Sequence, residues 1–411
     1  MTIVTLRDKL LTIGRRIIPS HLFRAGQPIY HWLLAVTGAL AYRYPARHIN
    51  LVLVTGTKGK STVTEMVNAV LEAAGQKTAL ANTIRHKIGP DSKPNKFKMT
   101  IPGRWFLQRW LRQAVRANCR YAIVEMTSEG AKQFRHLFLA PNALIFTNLS
   151  PEHIESHGSY EKYLAAKLKI AKALERSQKK NKILVVNNDD PQSIIFRRTA
   201  PSAVAYPFDP SQNLTVPNPL PGVFNRANWQ AALTYGQAIG IEEKIIQTAI
   251  AKLTLVPGRL EPVITHPFTV IVDYAHTVDS LRKVYETYKN SREICVLGGT
   301  GGGRDSGKRP AMGAVADQYC AEIILTNEDP YDEDPETIIE QVEGGIKHHQ
   351  PKIILDRREA IHHALTLARP GDVVLITGKG TDPYIMEAGG QRTPWSDAQI
   401  AREEYARITR S

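Results

Sequence analysis

Residues 51–62 read Leu-Val-Leu-Val-Thr-Gly-Thr-Lys-Gly-Lys-Ser-Thr. Lys60 offers a positive charge on a long stem, and Ser61 and Thr62 offer hydroxyls. The glycines at 56 and 59 let backbone N–H groups turn toward an anion. The chemistry this supports is phosphate binding: the lysine faces phosphoryl oxygens and a hydroxyl ligates magnesium. Gly56, Thr57, Lys58, Gly59, Lys60, Ser61 and Thr62 are therefore candidate nucleotide contacts. The full phosphate-loop pattern has glycine at position 54, where this chain has Val54, so the loop is a shortened variant. An ordinary glycine turn before a helix is the alternative, although Lys-Ser-Thr at a helix start has no structural need to be there.

Other residues carry chemistry by type and place. Glu125 ends an apolar run, where a carboxylate in a phosphate-loop sheet can hold magnesium; standing alone, such a residue is more often solvated. His153 and His157 are four apart, but Ile154 stands where the zinc-protease pattern requires glutamate, which argues against zinc. Lys167 follows Ala165-Ala166, and spacing alone makes it a surface lysine. Residues 302–310, Gly-Gly-Arg-Asp-Ser-Gly-Lys-Arg-Pro, form a second glycine-rich basic loop that can bring Arg304, Lys308 and Arg309 to phosphates.

The elements that position these residues follow from hydrophobic periodicity. Val63, Met66, Val67, Val70, Leu71 and Ala74 make one apolar stripe, an amphipathic helix directly after the loop. Strands are expected at Leu51–Val54, Tyr121–Met126, Ala143–Thr147, Ile183–Asn187, Val270–Asp273, Ile294–Leu297, Ile323–Thr326 and Val373–Thr377. Their alternation with helical segments indicates α/β parallel sheets covered on both faces. The expected architecture is a phosphate-loop parallel-sheet ATPase domain over 50–256 and a Rossmann-like α/β C-terminal domain over 257–411, with the break near Val256-Pro257-Gly258. Residues 1–49 form a short helical segment that Pro19, Pro28 and Pro45 are expected to divide. Residues 88–99 read as a polar loop.

The totals set bounds. The 411 residues are 43% hydrophobic and 22% charged, ordinary for a soluble globular chain of two or three domains. Three separated cysteines and no C-x-x-C exclude a disulfide scaffold and a zinc ribbon and fit a reducing cytoplasm. The apolar run from Tyr30 to Tyr42 is too short to span a membrane. Net charge is +14; nucleic-acid motifs with interleaved aromatics are absent. Residues 1–49 hold six Arg and one Lys against one Asp, either a solvated basic face or a peripheral contact with anionic membrane.

Taken in order, these motifs resemble the Mur ligase family, most nearly its UDP-N-acetylmuramoyl-tripeptide synthetase branch, over roughly residues 50–400. The resemblance implies ATP, two magnesium ions and a CO2-derived carbamate on Lys167. Ser61, Glu125, His153 and Lys167 would be the metal ligands, and Lys60 would join them in catalysis. It implies adenine contacts at Asn225 and Asn228, a phosphate contact at Arg259, and nucleoside contacts at Asp273 and His276. Thr100, Pro102, Ser128 and Arg135 would hold the sugar-nucleotide peptide, joined by Arg304 and Lys308. Glu328, Asp329, Tyr331, Gly378 and Asp382 would surround the incoming amino acid. The implied reaction is ADP-forming amide synthesis on UDP-N-acetylmuramoyl-L-alanyl-D-glutamate through an acyl phosphate, in peptidoglycan precursor assembly, by a monomer with no nucleic-acid partner.

Two segments depart from the family's pattern. Only some fifty residues precede the first strand, where the family carries a uridine-gripping domain of about a hundred, so a reduced or lipid-linked carrier is an alternative. Residues 328–334, Glu-Asp-Pro-Tyr-Asp-Glu-Asp, put Tyr331 among five acids where diaminopimelate-adding relatives have arginine. Such acids favour an ammonium group, hence L-lysine or another diamine. Competing readings are a folylpolyglutamate-synthetase-like ligase and a non-catalytic phosphate-loop nucleotide binder.

Overall fold

The computed structural model describes residues 20–150, 157–214, 216–303 and 306–410, with side chains from Gly26 onward. It opens with helix α1 (Ser20–Ala41). The prolines do not divide this helix, since Pro28 lies inside it. Ala35, Gly38 and Ala39 are buried, and a Cβ at Gly38 would stand 3.3 Å from Trp105 Cδ1. Glycine there lets the helix pack closely on the helix Arg104–Arg116, and that packing favours the helical state despite Pro28.

The first sheet orders its strands β4-β3-β2-β5-β1-β6-β7-β8. These are β1 (Asn50–Thr55), β2 (Thr78–Ala81), β3 (Arg85–Ile88), β4 (Asp91–Pro94), β5 (Tyr121–Glu125), β6 (Ala143–Phe146), β7 (Ile183–Asn187) and β8 (Val204–Phe208). All pair in parallel except β3 and β4, an antiparallel hairpin at the edge. The hairpin replaces much of the expected polar loop at 88–99. Its outer strand is exposed along its whole length, so no apolar alternation marks it. Helices α2 (Lys60–Ala73), α3 (Arg104–Arg116), α4 (Ser128–Lys132), α5 (Tyr160–Glu175), α6 (Ser193–Thr199), α7 (Phe224–Ala238) and α8 (Glu243–Lys252) accompany this sheet. One core, with Leu51, Leu53, Trp110 and Ile170, lies on one face; the other holds Val52, Val54, Met66 and Trp229. The strand side chains alternate between the two cores, as the pleat requires.

The second sheet is ordered β13-β12-β11-β14-β10-β9. It comprises β9 (Glu261–Ile264), β10 (Thr269–Asp273), β11 (Glu293–Leu297), β12 (Glu322–Leu325), β13 (Lys352–Ile353) and β14 (Val373–Thr377). Only β9 is antiparallel. Helices α9 (Val278–Tyr288), α10 (Lys308–Tyr319), α11 (Pro335–Glu343), α12 (Arg357–Leu367) and α13 (Asp397–Ile408) surround it. Among the described residues no helix is long and apolar enough to cross a membrane.

Candidate active site

The phosphate-type loop leaves β1 at the carboxyl edge of the first sheet, where the strand order runs outward on both sides of β1. Val54 stands in register with Glu125 and Ile145, so the ends of β5 and β6 flank the loop. This is the crevice in which open α/β sheets bind ligands. A Cβ at Gly56 would collide with Thr147 Oγ1, and one at Gly59 with Asn228 Oδ1. Gly59 also holds φ at 80°, so both positions require glycine. Thr57 N donates to Asn148 O at 2.8 Å and Lys58 N to Asn148 Oδ1 at 2.9 Å. Thr147 Oγ1 donates back to Lys58 O at 2.7 Å. The stretch after β6 thus clamps the loop. Gly59 caps α2 without a side chain, so the first-turn N–H groups of Lys60, Ser61 and Thr62 have no acceptor within the helix. Together with Lys60, whose Nζ lies 2.8 Å from Thr57 O, they fit a polyphosphate.

Glu125 is buried at the end of β5. Its Oε2 accepts from Ser61 Oγ at 2.8 Å, from Thr83 N at 3.0 Å and from Thr83 Oγ1 at 3.1 Å. Thr83 Oγ1 lies 2.9 Å from Thr100 Oγ1, so a hydroxyl chain leads from Thr100 to the carboxylate. The side-chain groups gathered here, the Glu125 carboxylate and the Ser61, Thr83 and Thr100 hydroxyls, are all oxygen, the ligand type magnesium takes. Among the described residues no three His, Cys, Asp or Glu gather in a metal cluster, so phosphate and water oxygens would have to complete the shell. His153 and Arg304 lie outside the described residues. Lys167 is no surface lysine: it is 1% exposed, donates to Gly56 O at 2.6 Å and lies 4.7 Å from the Tyr163 ring centroid. It stands behind the loop, enclosed from bulk water, where a CO2 adduct would be shielded.

The second lobe supplies the opposite wall. Asp273, ending β10, accepts from Leu260 N and Ala275 N, both at 2.7 Å. Burial raises its carboxyl, while Arg259 and the two backbone donors oppose that shift. The pinned turn presents Tyr274, Ala275 and His276 to the cleft. Arg259 lies over the Tyr274 ring at 4.6 Å, and Lys308 Nζ donates to His276 O at 3.1 Å. Lys58 Nζ crosses between lobes to Thr277 Oγ1 at 2.8 Å. The cleft encloses about 590 Å3, with Lys58–Thr62, Thr83, Thr100, Glu125 and Asn148 on one side and Arg259, Asp273, His276 and Asp382 on the other.

Several candidates sit behind this cleft. Asn225 supports the cleft residue Asn228, whose Nδ2 donates to Asn225 Oδ1 at 2.9 Å. Ser128 Oγ lies 3.1 Å from His157 Nε2; burial lowers that imidazole's pKa, with Glu129 opposing. Arg135 donates to Ile101 O and, at 2.8 Å, to Gln133 Oε1, bracing the Thr100–Pro102 stretch. Pro102 itself does not line the cleft.

The acids at 328–334 are engaged internally. Glu328 Oε1 accepts from Thr300 Oγ1 at 2.8 Å, and a Cβ at Gly378 would collide with its Oε2. Asp329 holds Lys379 at 2.8 Å and pairs with Lys98. Glu333 holds Arg309 at 2.8 Å, Asp332 accepts from Gly389 N, and Asp334 caps α11. Tyr331 lies 5.5 Å from Lys98 Nζ. Asp329, Asp332, Glu333 and Asp334 thus already have internal cation or backbone-donor partners, whereas Glu328 Oε2 is buried without a hydrogen-bond partner among the described residues, so Glu328 is the acid of this segment left to face an ammonium group.

Sequence reasoning missed Thr83, Asn148, Lys98 and Lys379. Asn148 carried a signal, since it follows a strand beside the loop; Thr83 and Lys98 lie in no recognisable pattern.

A nucleotide loop on one lobe, facing a wall of mixed charge with Arg259 and His276 on another, defines the class of two-lobed phosphate-loop enzymes. Residues 54–209 match the Mur ligase middle domain and residues 258–380 the Mur ligase glutamate ligase domain. The chain is 33% identical over 401 residues to UDP-N-acetylmuramoyl-L-alanyl-D-glutamate–2,6-diaminopimelate ligase of Syntrophomonas wolfei, covering 90% of this chain and 81% of that one. It is 33% identical over 418 residues to the UDP-N-acetylmuramyl-tripeptide synthetase of Roseiflexus, covering 91% and 82%. A solved UDP-N-acetylmuramoyl-L-alanyl-D-glutamate–2,6-diaminopimelate ligase superposes with TM-score 0.60 at 28% identity, covering 88% and 79%. Folylpolyglutamate synthase of Mycobacterium tuberculosis, solved with ADP and AMPPCP, superposes with TM-score 0.70 at 16% identity over 93% and 98%, a likeness of fold alone. The chain belongs to the Mur ligase family, and it is an ATP-dependent amide ligase.

Proposed function

We propose that this chain extends a UDP-N-acetylmuramoyl-peptide by one amine-bearing residue during peptidoglycan precursor synthesis, with UDP-N-acetylmuramoyl-L-alanyl-D-glutamate as acceptor. The observation that carries the reading is the meeting of Ser61, Thr83 and Glu125 at one oxygen beside Lys60, in a cleft whose far wall brings Arg259 and His276. In the proposed reaction Lys60 and the α2 N-terminus hold the terminal phosphate of ATP while the acceptor carboxylate takes it, giving an acyl phosphate and ADP. The Thr100–Thr83 hydroxyl chain orients the acceptor. Arg259 and Lys308 hold the polyphosphate from the second lobe, and closure excludes water so that the amine attacks the acyl phosphate and releases phosphate. Magnesium, held by Ser61 and Glu125 with His153, would offset charge on the transferring oxygens.

We also propose that Lys167 is carbamylated in the working enzyme. Arginine at this position keeps a donor for Gly56 O but cannot take up CO2. Lys167→Arg should therefore lose turnover as fully as Lys167→Ala; near-normal turnover in the arginine variant would leave only a loop-bracing cation.

Phosphate release measured over a panel of amino acids, with the muramoyl dipeptide, with a folate acceptor or with neither, tests the main reading. Release that needs both the dipeptide and one amine supports it. Release that needs the folate, or no amine at all, sinks it.

A further inference from the structure

Helix α1 turns one face onto α3 and leaves the other outward. The outward row is Ile29, Trp32, Leu33, Val36, Thr37 and Leu40, spaced at helical intervals. Ile29 is 64% exposed, Trp32 47%, Leu33 49% and Leu40 55%. Trp105 of α3, 44% exposed, extends the row, its Nε1 donating to Thr37 Oγ1 at 3.2 Å. Thr37 Oγ1 itself donates to Leu33 O at 2.8 Å, so the one hydroxyl in the row is turned into the helix. No Asp, Glu, Lys or Arg falls between Gly26 and Tyr42.

The surroundings carry one sign of charge. No Asp or Glu occurs from 9 to 64, nor from 92 to 124, the stretches that contain α1 and α3. Arg43, Arg47, Arg109, Arg116 and Arg120 are exposed within them. Just past α1, Tyr44 forms part of a cavity of about 510 Å3. Arg47, Lys169, Lys172, Arg176 and Lys179 line it, with no carboxylate among the lining residues. His136, 6% exposed, lines it too, and its Nδ1 has no hydrogen-bond partner among the described residues. A concave site lined by five cations and no carboxylate suits an anionic group with oxygen atoms.

An apolar row bearing indole rings, on two elements that carry cations and no acids, matches an anionic bilayer surface. A second copy of the chain is the poorer occupant, because two acid-free faces would repel. We propose that this surface docks on a bilayer containing anionic phospholipid, the α1 row entering the boundary between headgroups and acyl chains and the adjoining cavity taking a headgroup phosphate. The helix lies on the membrane and does not span it. The proposal stands apart from the ligase reading, since it concerns where the enzyme works.

Flotation of the full chain with phosphatidylcholine vesicles, with and without phosphatidylglycerol, tests it. Binding should require phosphatidylglycerol, weaken with salt and shift the tryptophan emission of the unaltered chain to the blue. Trp32→Ser/Leu33→Ser, at exposed positions, should cut partitioning about tenfold or more. Lys172→Glu/Arg176→Glu should do the same for anionic vesicles only. Phosphate release in solution should persist in both variants. Equal binding to both vesicle types, binding unchanged in either variant, an unshifted emission, or saturable binding of inorganic phosphate without any vesicle binding would each overturn it. So would light scattering that shows a dimer and no vesicle binding.

Discussion

Ser61 and Glu125 meet at one carboxylate oxygen, so their substitutions report on the same centre. Glu125→Gln should lower kcat by about 10²–10³-fold, as loss of a group that stabilises developing charge does, while the thermal midpoint changes little. Ser61→Ala should show the same pattern with a smaller fall. A matching fall in stability would instead mark Glu125 as a structural anchor for Thr83. Gly59→Ala is the steric counterpart: it forces a side chain into left-handed backbone, costing about 1–2 kcal/mol, and drives a methyl into Asn228. ATP affinity should drop, and Asn228→Ala in the same chain should restore part of it, measured by calorimetric titration. Away from the cleft, Glu293 is 1% exposed with neither carboxyl oxygen partnered among the described residues, and burial pushes its pKa up to about 8. The folded chain holds a proton there that the unfolded chain releases near the ordinary glutamate value of 4.5. Its favourable term is thus complete below that value and drains away as pH rises toward about 8. Glu293→Gln should flatten the fall in melting temperature across that window; an unchanged slope would count against a buried neutral carboxyl.

The loop after β6 and the helix after β1 act as one element pair, because Asn148 and Thr147 hold the loop backbone. Asn148→Ala should raise the KM for ATP more than it lowers kcat, and cost about 1 kcal/mol of stability for the lost side-chain bonds. At this scale the sequence was readable where burial was two-sided. All eight expected strands are present within a residue or two of their expected ends, since fully buried parallel strands are continuous apolar runs. The exposed hairpin strand β4 and short edge strands such as β13 lack that signature. Helix α1 was misjudged because proline preference is local, whereas its packing on Trp105 is tertiary. Of the candidate site, the glycines, Lys60, Ser61 and Glu125 were legible from order and spacing. Thr83 and Asn148 were not, because their role depends on strand neighbours distant in sequence.

The two lobes are joined across the cleft by charge. Lys98, just beyond the β3–β4 hairpin, pairs with Asp329 and lies 3.6 Å from Asp382 on the second lobe, and Lys379 holds Asp329 from within at 2.8 Å. Lys98→Ala removes the cross-lobe partner and leaves Asp329 its internal one. The chain should keep its stability but relax between lobes, with a larger radius of gyration by X-ray scattering and a lower kcat/KM. Moderate salt should reproduce part of that effect in the unaltered enzyme. An unaltered radius would locate the coupling elsewhere, in the Lys58 contact.

Thr277 opens α9 with a capping box, its N–H donating to Ser280 Oγ at 3.1 Å, and the same residue's hydroxyl receives Lys58 from the other lobe. A single threonine therefore serves as a helix cap and as a docking point for the phosphate loop. Any occupant that recruits the Lys58 ammonium for its own oxygens withdraws a donor from that cap. The first turn of α9, itself on the cleft wall, then becomes a gauge of cleft occupancy, legible in amide exchange.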